Sequence, residues 1–440
     1  MSGFSMKRVS QLTALALAFG LACASSRAAD TIQALNFQQL QQAHGTAIDT
    51  RPSAFYNGWP QTLNGPSGHE PAALNLSASW LDDMNDKQIA DWVKQHQLNA
   101  GTPVALYGSE REVQAVEARL RRAGLTQLTT LSDALQEPTR LQRLPHFEQL
   151  VYPRWLHNLQ QGRHVTAAPA GKWRVLEAGW GAPKLYLLSH IPGADYIDTN
   201  EVESEPLWNK VSDAQLKVML EKHGIRHDTT VILYGRDVYA AARVAQIMLY
   251  AGVKDVRLLD GGWRSWSDAK LPVERGTPAK VQPEPDFGVT IPARPQLMLN
   301  IEQARALLHR QDASLVSIRS WPEFIGTTSG YSYIKPKGEI AGARWGHAGS
   351  DSTHMEDFHN PDGTMRSADD ITAMWKTWNI RADQQVSFYC GTGWRASETF
   401  MYARAMGWPN ISVYDGGWYE WSSDSNNPVV SGERGPESSL

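Results

Sequence analysis

One pattern of residues occurs three times in this chain, and it limits what the chain can fold into. Val231-Ile232-Leu233-Tyr234-Gly235 and Val386-Ser387-Phe388-Tyr389-Cys390 are apolar runs that end on a small residue. Each leads into a helix-like pattern that stops at a glycine 17 residues on, Gly252 and Gly407. Each then reaches a second apolar run and Asp-Gly-Gly-Trp, beginning at Asp260 and Asp415, 25 residues after the first run in both copies. A more decayed copy lies upstream. Val104-Ala105-Leu106-Tyr107-Gly108 has the same shape, and Asp133 again falls 25 residues later, although Ala134 and Leu135 replace the glycines. Short apolar runs alternating with helices of about ten residues predict α/β units with parallel sheets. A glycine closing each helix suits the left-handed position just past a helix end. Self-similarity at a fixed spacing predicts one structural unit per copy.

The expected organisation is therefore three tandem α/β domains, each a mainly parallel sheet flanked by helices. They span 29–140, 165–285 and 290–425. A short turn precedes a small-residue strand entry in every copy: Gly68-His69-Glu70-Pro71-Ala72, His190-Ile191-Pro192-Gly193-Ala194 and Gly338-Glu339-Ile340-Ala341-Gly342-Ala343. The segment 141–164 is rich in Leu, Phe, Tyr and Trp, and that much apolar surface does not stay in water, so a packed helical connector is expected there. The polar, Gly- and Pro-containing segment 426–440 is expected to be a loose tail.

Residues 1–28 have the three-part layout of an export signal. Lys7 and Arg8 precede an apolar stretch over 9–22, and small residues follow at Ala22, Ala24 and Ala28. Removing them takes away Lys7, Arg8 and Arg27 and no acid, so the net charge moves from −4 to −7. The expected location is the periplasm. No other apolar run is long enough to span a bilayer, so stable membrane insertion is not expected. Mild acidity without a basic block argues against nucleic acid as a partner.

Cys23 leaves with the signal, and the mature chain keeps one thiol, Cys390. It opens the run Cys390-Gly391-Thr392-Gly393-Trp394-Arg395, between an apolar strand pattern and a helix expected to begin near Ala396. A thiol on a glycine-bearing strand-to-helix turn is placed for chemistry. Backbone N–H groups of such a turn can converge on the sulfur and the helix N-terminus adds positive potential, both favouring the nucleophilic thiolate. The bland alternative is a buried, inert cysteine, but such a residue needs neither flanking glycines nor an arginine at the loop's end.

A Cys-x-x-x-x-Arg loop on a parallel sheet, followed by Asp-Gly-Gly-Trp and preceded by a His-Ile-Pro-Gly-Ala turn, resembles the rhodanese (sulfurtransferase) family. The resemblance covers nearly the whole mature chain. It implies three rhodanese-like domains, with the third catalytic. It also implies that a sulfane sulfur moves from a small donor such as thiosulfate onto Cys390, and that the persulfide passes it to a thiophilic acceptor such as cyanide or a thiol, by nucleophilic catalysis in two halves. A partner protein's thiol is a further acceptor to weigh. No metal or organic cofactor is implied. Gly391, Thr392, Gly393, Trp394 and Arg395 would form the substrate cradle, with Arg319 reaching the pocket. Arg395 either adds charge to the pocket or braces the loop from behind. Gly108 and Gly235 stand where the nucleophile would be, so the first two domains should be silent.

Three departures stand out. The first copy keeps Asp49-Thr50-Arg51 before its turn, whereas the third reads Ser317-Ile318-Arg319. Glu323 occupies a place where two-domain thiosulfate enzymes of the family carry a substrate arginine. Gly391-Thr392-Gly393 is closer to the loops of mercaptopyruvate enzymes. Two competing functions follow: a persulfide carrier or scaffold serving a partner protein, and a cysteine phosphatase or arsenate reductase. The latter use a loop one residue longer, which widens the ring of donors for a tetrahedral oxyanion. His347, His354 and His359 fit no common metal-binding spacing.

Overall fold

The computed structural model describes residues 33–277 and 280–436; the expected export signal lies outside them. The three copies build three parallel sheets in which four strands keep the same relative order, and the second and third sheets add a fifth at one edge. In the first, Leu74–Asn75, Thr46–Asp49, Val104–Tyr107 and Leu128–Thr130 lie side by side. The second runs Leu150–Val151, Asp255–Leu259, Thr230–Gly235, Trp173–Gly179 and Asp195–Asp198. The third runs Met298–Leu299, Ile411–Tyr414, Gln385–Tyr389, Ala313–Ser317 and Arg344–Trp345. Helices cover the faces of such sheets, so their central strands are buried on both sides and read as continuous apolar runs. Thr230–Gly235 is buried at every position.

The glycines predicted to end the helices do so at positive φ, +127° at Gly252 and +79° at Gly407, and Gly124 follows the corresponding helix of the first copy at +97°. The helix Val238–Ala251 is buried from Ala240 to its end. A helix buried on every face must be enclosed, and this one, apolar but for Arg243 and Gln246, lies between its own sheet and its counterpart, Trp394–Ala405. Ala240, Ala241, Ala242 and Ala245 keep it thin enough for close packing. The second and third domains consequently share one apolar core, while the first has its own around Ile48, Trp80 and Val116. The first domain reaches the others partly through polar links: Trp80 Nε1 donates to Asp362 at 2.9 Å, Ser53 to Thr364 at 2.9 Å, and Arg264 to Asp83 at 2.8 Å.

Two expectations change. The segment 141–164 is not only a helical connector. It holds the helix Pro153–Gln160, but also the strand Leu150–Val151, which pairs with Asp255–Leu259 as the edge of the second sheet. Met298–Leu299 does the same beside Ile411–Tyr414. The aromatic-rich stretch is thus the opening of the second domain, and a two-residue strand is too short to leave a periodic signal. The segment 426–440 is not loose over its described part. Val429–Val430 pairs antiparallel with Glu339–Ile340, and Arg434 donates to Phe324 O at 2.9 Å with its guanidinium over that ring. A partner edge, invisible in local composition, holds it.

Candidate active site

Gln385–Tyr389 is the central strand of the third sheet, and Cys390 follows at its carboxyl end. Ligands on open α/β sheets bind at that end. The next helix begins at Trp394, two residues before the expected Ala396. Gly393 allows this, because its φ of +104° turns the chain directly into the helix. Gly391, Thr392 and Gly393 therefore form the turn, while Trp394 and Arg395 lie in the first helical turn.

Cys390 is 1% exposed, and its Sγ accepts the Gly393 N–H at 3.2 Å. The amino end of the helix adds its partial positive charge. The Asp-Gly-Gly-Trp motif holds the loop from the other side. Trp418 N–H donates to Cys390 O at 2.8 Å, and Tyr419 N–H to Gly391 O at 3.1 Å. Gly417 has φ +54°, and a Cβ there would lie 2.6 Å from Cys390 O. The repeated motif is thus the cradle of the loop carbonyls. In the second domain a Cβ on Gly262 would likewise meet Gly235 O at 2.6 Å.

Gly391 is required for a different reason than its backbone angle. A Cβ there would fall 2.3 to 2.5 Å from Cε2, Cζ and the hydroxyl of Tyr331. That ring is pinned, because its hydroxyl accepts from Arg395 Nη2 at 2.9 Å. Gly391→Ala should displace the loop and lower turnover by about 10²-fold, the cost of roughly 1 Å of misplacement. Steady-state kinetics on the folded variant test this, and an unchanged kcat/KM would show that the loop tolerates the shift.

Arg395 resolves to the bracing role. It is buried, with Nη1 and Nη2 on the two oxygens of Glu323 at 3.0 and 2.9 Å, and Nη1 also 3.3 Å from Asp351 O. Burial works against its charge, but Glu323 more than compensates and keeps the guanidinium protonated. Arg319 does not join the loop. It donates to Gly338 O at 2.8 Å and Glu339 at 3.2 Å, and its Nε lies 3.6 Å from Glu323. The missing acid at Ser317 is explained here: in the first copy Asp49 pairs Arg51 at 2.6 Å, whereas in the third the carboxylate comes from Glu339 on the turn, which also accepts from Ser317 at 2.6 Å. The departure at Glu323 has a matching reason, since this residue is the counter-ion of two buried arginines. Burial opposes its ionisation, and Arg395 and Arg319 together hold its carboxyl below the usual range.

Tyr331 left no signal in the sequence. Thr392 is buried near Tyr333, whose phenol burial pushes up to about 12. Tyr331, Tyr333 and Tyr419 form a chain of rings at 5.5 and 5.7 Å. Trp394 lies 5.9 Å from Tyr239, its counterpart in the second domain, and its Nε1 donates to Glu203 at 2.5 Å. His347, His354 and His359 do not converge: each faces its own carboxylate, Asp357 at 3.6 Å, Asp351 at 2.7 Å and Glu398 at 2.5 Å.

A buried cysteine opening a six-residue run, set in a parallel sheet and cradled by Asp-Gly-Gly-Trp, defines a rhodanese-type site. The family model for the rhodanese-like domain matches residues 172–269 and 300–424. The chain belongs to the rhodanese family and is a sulfurtransferase. It is 82% identical to the thiosulfate sulfurtransferase YnjE of Escherichia coli, over 99% of this chain and 100% of that protein. The crystal structure of YnjE aligns with a TM-score of 0.93 at 81% identity, over 94% of this chain and 100% of that one. The sulfur carrier protein TtuD of Thermus thermophilus is 31% identical over 60% of this chain and 92% of its own. The anaerobic ergothioneine biosynthesis enzyme from Chlorobium limicola, solved with trimethyl histidine, aligns with a TM-score of 0.86 at 35% identity, over 91% of this chain and 100% of that one.

Proposed function

We propose that Cys390 transfers the outer sulfur of thiosulfate to a thiophilic acceptor. The observation that carries this reading is the sulfur itself, accepting the Gly393 N–H at 3.2 Å within a loop of four residues between Cys390 and Arg395. The Cys390 thiolate attacks the outer sulfur of thiosulfate. The new S–S bond forms as the old one breaks, and sulfite leaves with the electron pair. A cyanide or thiolate then attacks the terminal sulfur of the persulfide, and Cys390 departs as thiolate. Turn N–H groups hold the anion in both halves. The name of the 82%-identical relative supports thiosulfate as donor. A protein thiol is a second class of acceptor, in keeping with the sulfur-carrier name of TtuD.

The expected result is a paired one. Intact mass rises by one sulfur atom on exposure to thiosulfate or mercaptopyruvate, and cyanide removes it. An aryl phosphate yields no phosphate, because the loop is one residue shorter than a phosphatase loop. Phosphate release without persulfide formation would overturn this reading. Lys7, Arg8 and the apolar stretch over 9–22 support a periplasmic location, which osmotic-shock fractionation tests.

A further inference from the structure

The second domain lacks the nucleophile, yet its side chains meet the active loop directly. Arg243, on the buried helix Val238–Ala251, is fully buried and crosses the domain boundary. Its Nε donates to Glu203 at 3.0 Å, and its Nη2 donates to Asp415 at 2.7 Å and Trp208 O at 3.2 Å. Its third nitrogen, Nη1, is buried without a hydrogen-bond partner. That nitrogen stands over the active loop, 2.7 Å from where a Cβ of Gly393 would be. Gly393 is the residue whose N–H meets the sulfur. Asp415 opens the motif that cradles the loop, and Glu203 takes the Trp394 indole N–H. One guanidinium from the silent domain therefore touches three parts of the catalytic loop's support.

The same interface contains a built-in comparison. Residues of the two domains correspond at a spacing of 155: Gly235 with Cys390, Arg243 with Glu398, and Asp260 with Asp415. The backbone N–H of Lys210 caps Asp415 at 2.9 Å, and its counterpart Met365 caps Asp260 at 2.8 Å. Each helix thus carries a charged side chain at the same place in the shared interface. On the silent side this is Glu398, paired with His359 and accepting from Tyr402 at 2.7 Å. The active loop receives an arginine. Geometry is shared and the sign of the charge is not. The loop that must hold an anion gets the cation, which also offsets part of the negative charge of Glu203 and Asp415 behind it. A buried guanidinium placed only for packing gives no reason for that asymmetry of charge.

We infer that Arg243 of the cysteine-less second domain is a positioning residue of the Cys390 site, holding the turn at Gly393 and making the sulfur's surroundings favourable to anions. The inference rests on the sulfurtransferase reading for its purpose but not for its test. Cys390 is alkylated in parallel with anionic iodoacetate and neutral iodoacetamide, and the ratio of the two rates is read by intact mass. A residue that only stabilises the fold changes both rates alike. Arg243→Gln should lower the iodoacetate-to-iodoacetamide ratio about tenfold, and Arg243→Lys should recover part of it. Burial raises the Glu203 carboxyl to about 7, so at pH 8.5 Glu203→Gln should raise the ratio, because it removes a competing carboxylate while leaving an oxygen for Trp394. Glu398→Gln, at the corresponding place on the silent side, should leave the ratio unchanged. An unchanged ratio in Glu203→Gln overturns the proposal even where Arg243→Gln does not fold, as does an equal shift in Glu398→Gln. Failure of the wild type to gain sulfur from thiosulfate would sink the donor assignment and leave the ratio standing.

Discussion

Cys390→Ser ends sulfur uptake completely: the folded variant gains no mass from thiosulfate, while the wild type gains one sulfur. The hydroxyl is close in size to the thiol, so the Gly393 N–H and the carbonyl cradle of Trp418 and Tyr419 survive. What is lost is chemistry, since a serine oxygen is far less acidic than a thiol and holds no sulfane sulfur. The same measurement tests the two cysteine-less domains. Gly108 and Gly235 carry no nucleophile, and Cys390 is the free cysteine among the described residues. Any sulfur on Cys390→Ser would therefore lie at a site the repeat does not supply. Turnover within an order of magnitude of wild type, in a variant with native circular dichroism, would remove Cys390 from the mechanism.

The central strands and the helices after them were legible because each is a continuous apolar run with a glycine at a fixed distance. Gly252 and Gly407 even mark the left-handed residue. Cys390 was legible because a lone thiol on a glycine turn has few structural reasons to exist. The edge strands at Leu150–Val151 and Val429–Val430 were not, because two residues carry no period and their pairing depends on a distant edge. Around the site, the sequence showed which residues were unusual without showing why. Glu323 and Ser317 read as departures, and only the fold reveals that the acids were relocated to serve Arg395 and Arg319. Tyr331, Glu203 and Arg243 act on the loop from 59, 187 and 147 residues upstream of Cys390. Tertiary packing alone brings them there, so no local pattern announces them.

Glu323→Ala should cost the largest loss of stability of any substitution near the loop, about 3–5 kcal/mol, the cost of stranding a buried charge. Glu323 is fully buried, and it takes both terminal nitrogens of Arg395, faces Arg319, and accepts from Ser320 N–H and Oγ at 3.0 and 2.7 Å. Its removal leaves two guanidinium groups in the interior with one shared counter-ion fewer. Water cannot replace it without opening the core. The loss should appear as a lower midpoint in denaturant at unchanged slope. Turnover should fall with it, because Arg395 braces the helix that begins at the loop. The sign of the pH dependence follows from the same pair. Arginine neighbours lower the Glu323 pKa on folding from 4.5, so its contribution is fully present above that value. It is lost as pH falls through the lower, folded value. Acidification below pH 4.5 should therefore destabilise the wild type more steeply than Glu323→Gln, which has no proton to take up there. A Glu323→Gln variant with wild-type stability at pH 7, and the same acid limb, would show that the ion pair contributes nothing and that Arg395 is held by Tyr331 and Asp351 alone.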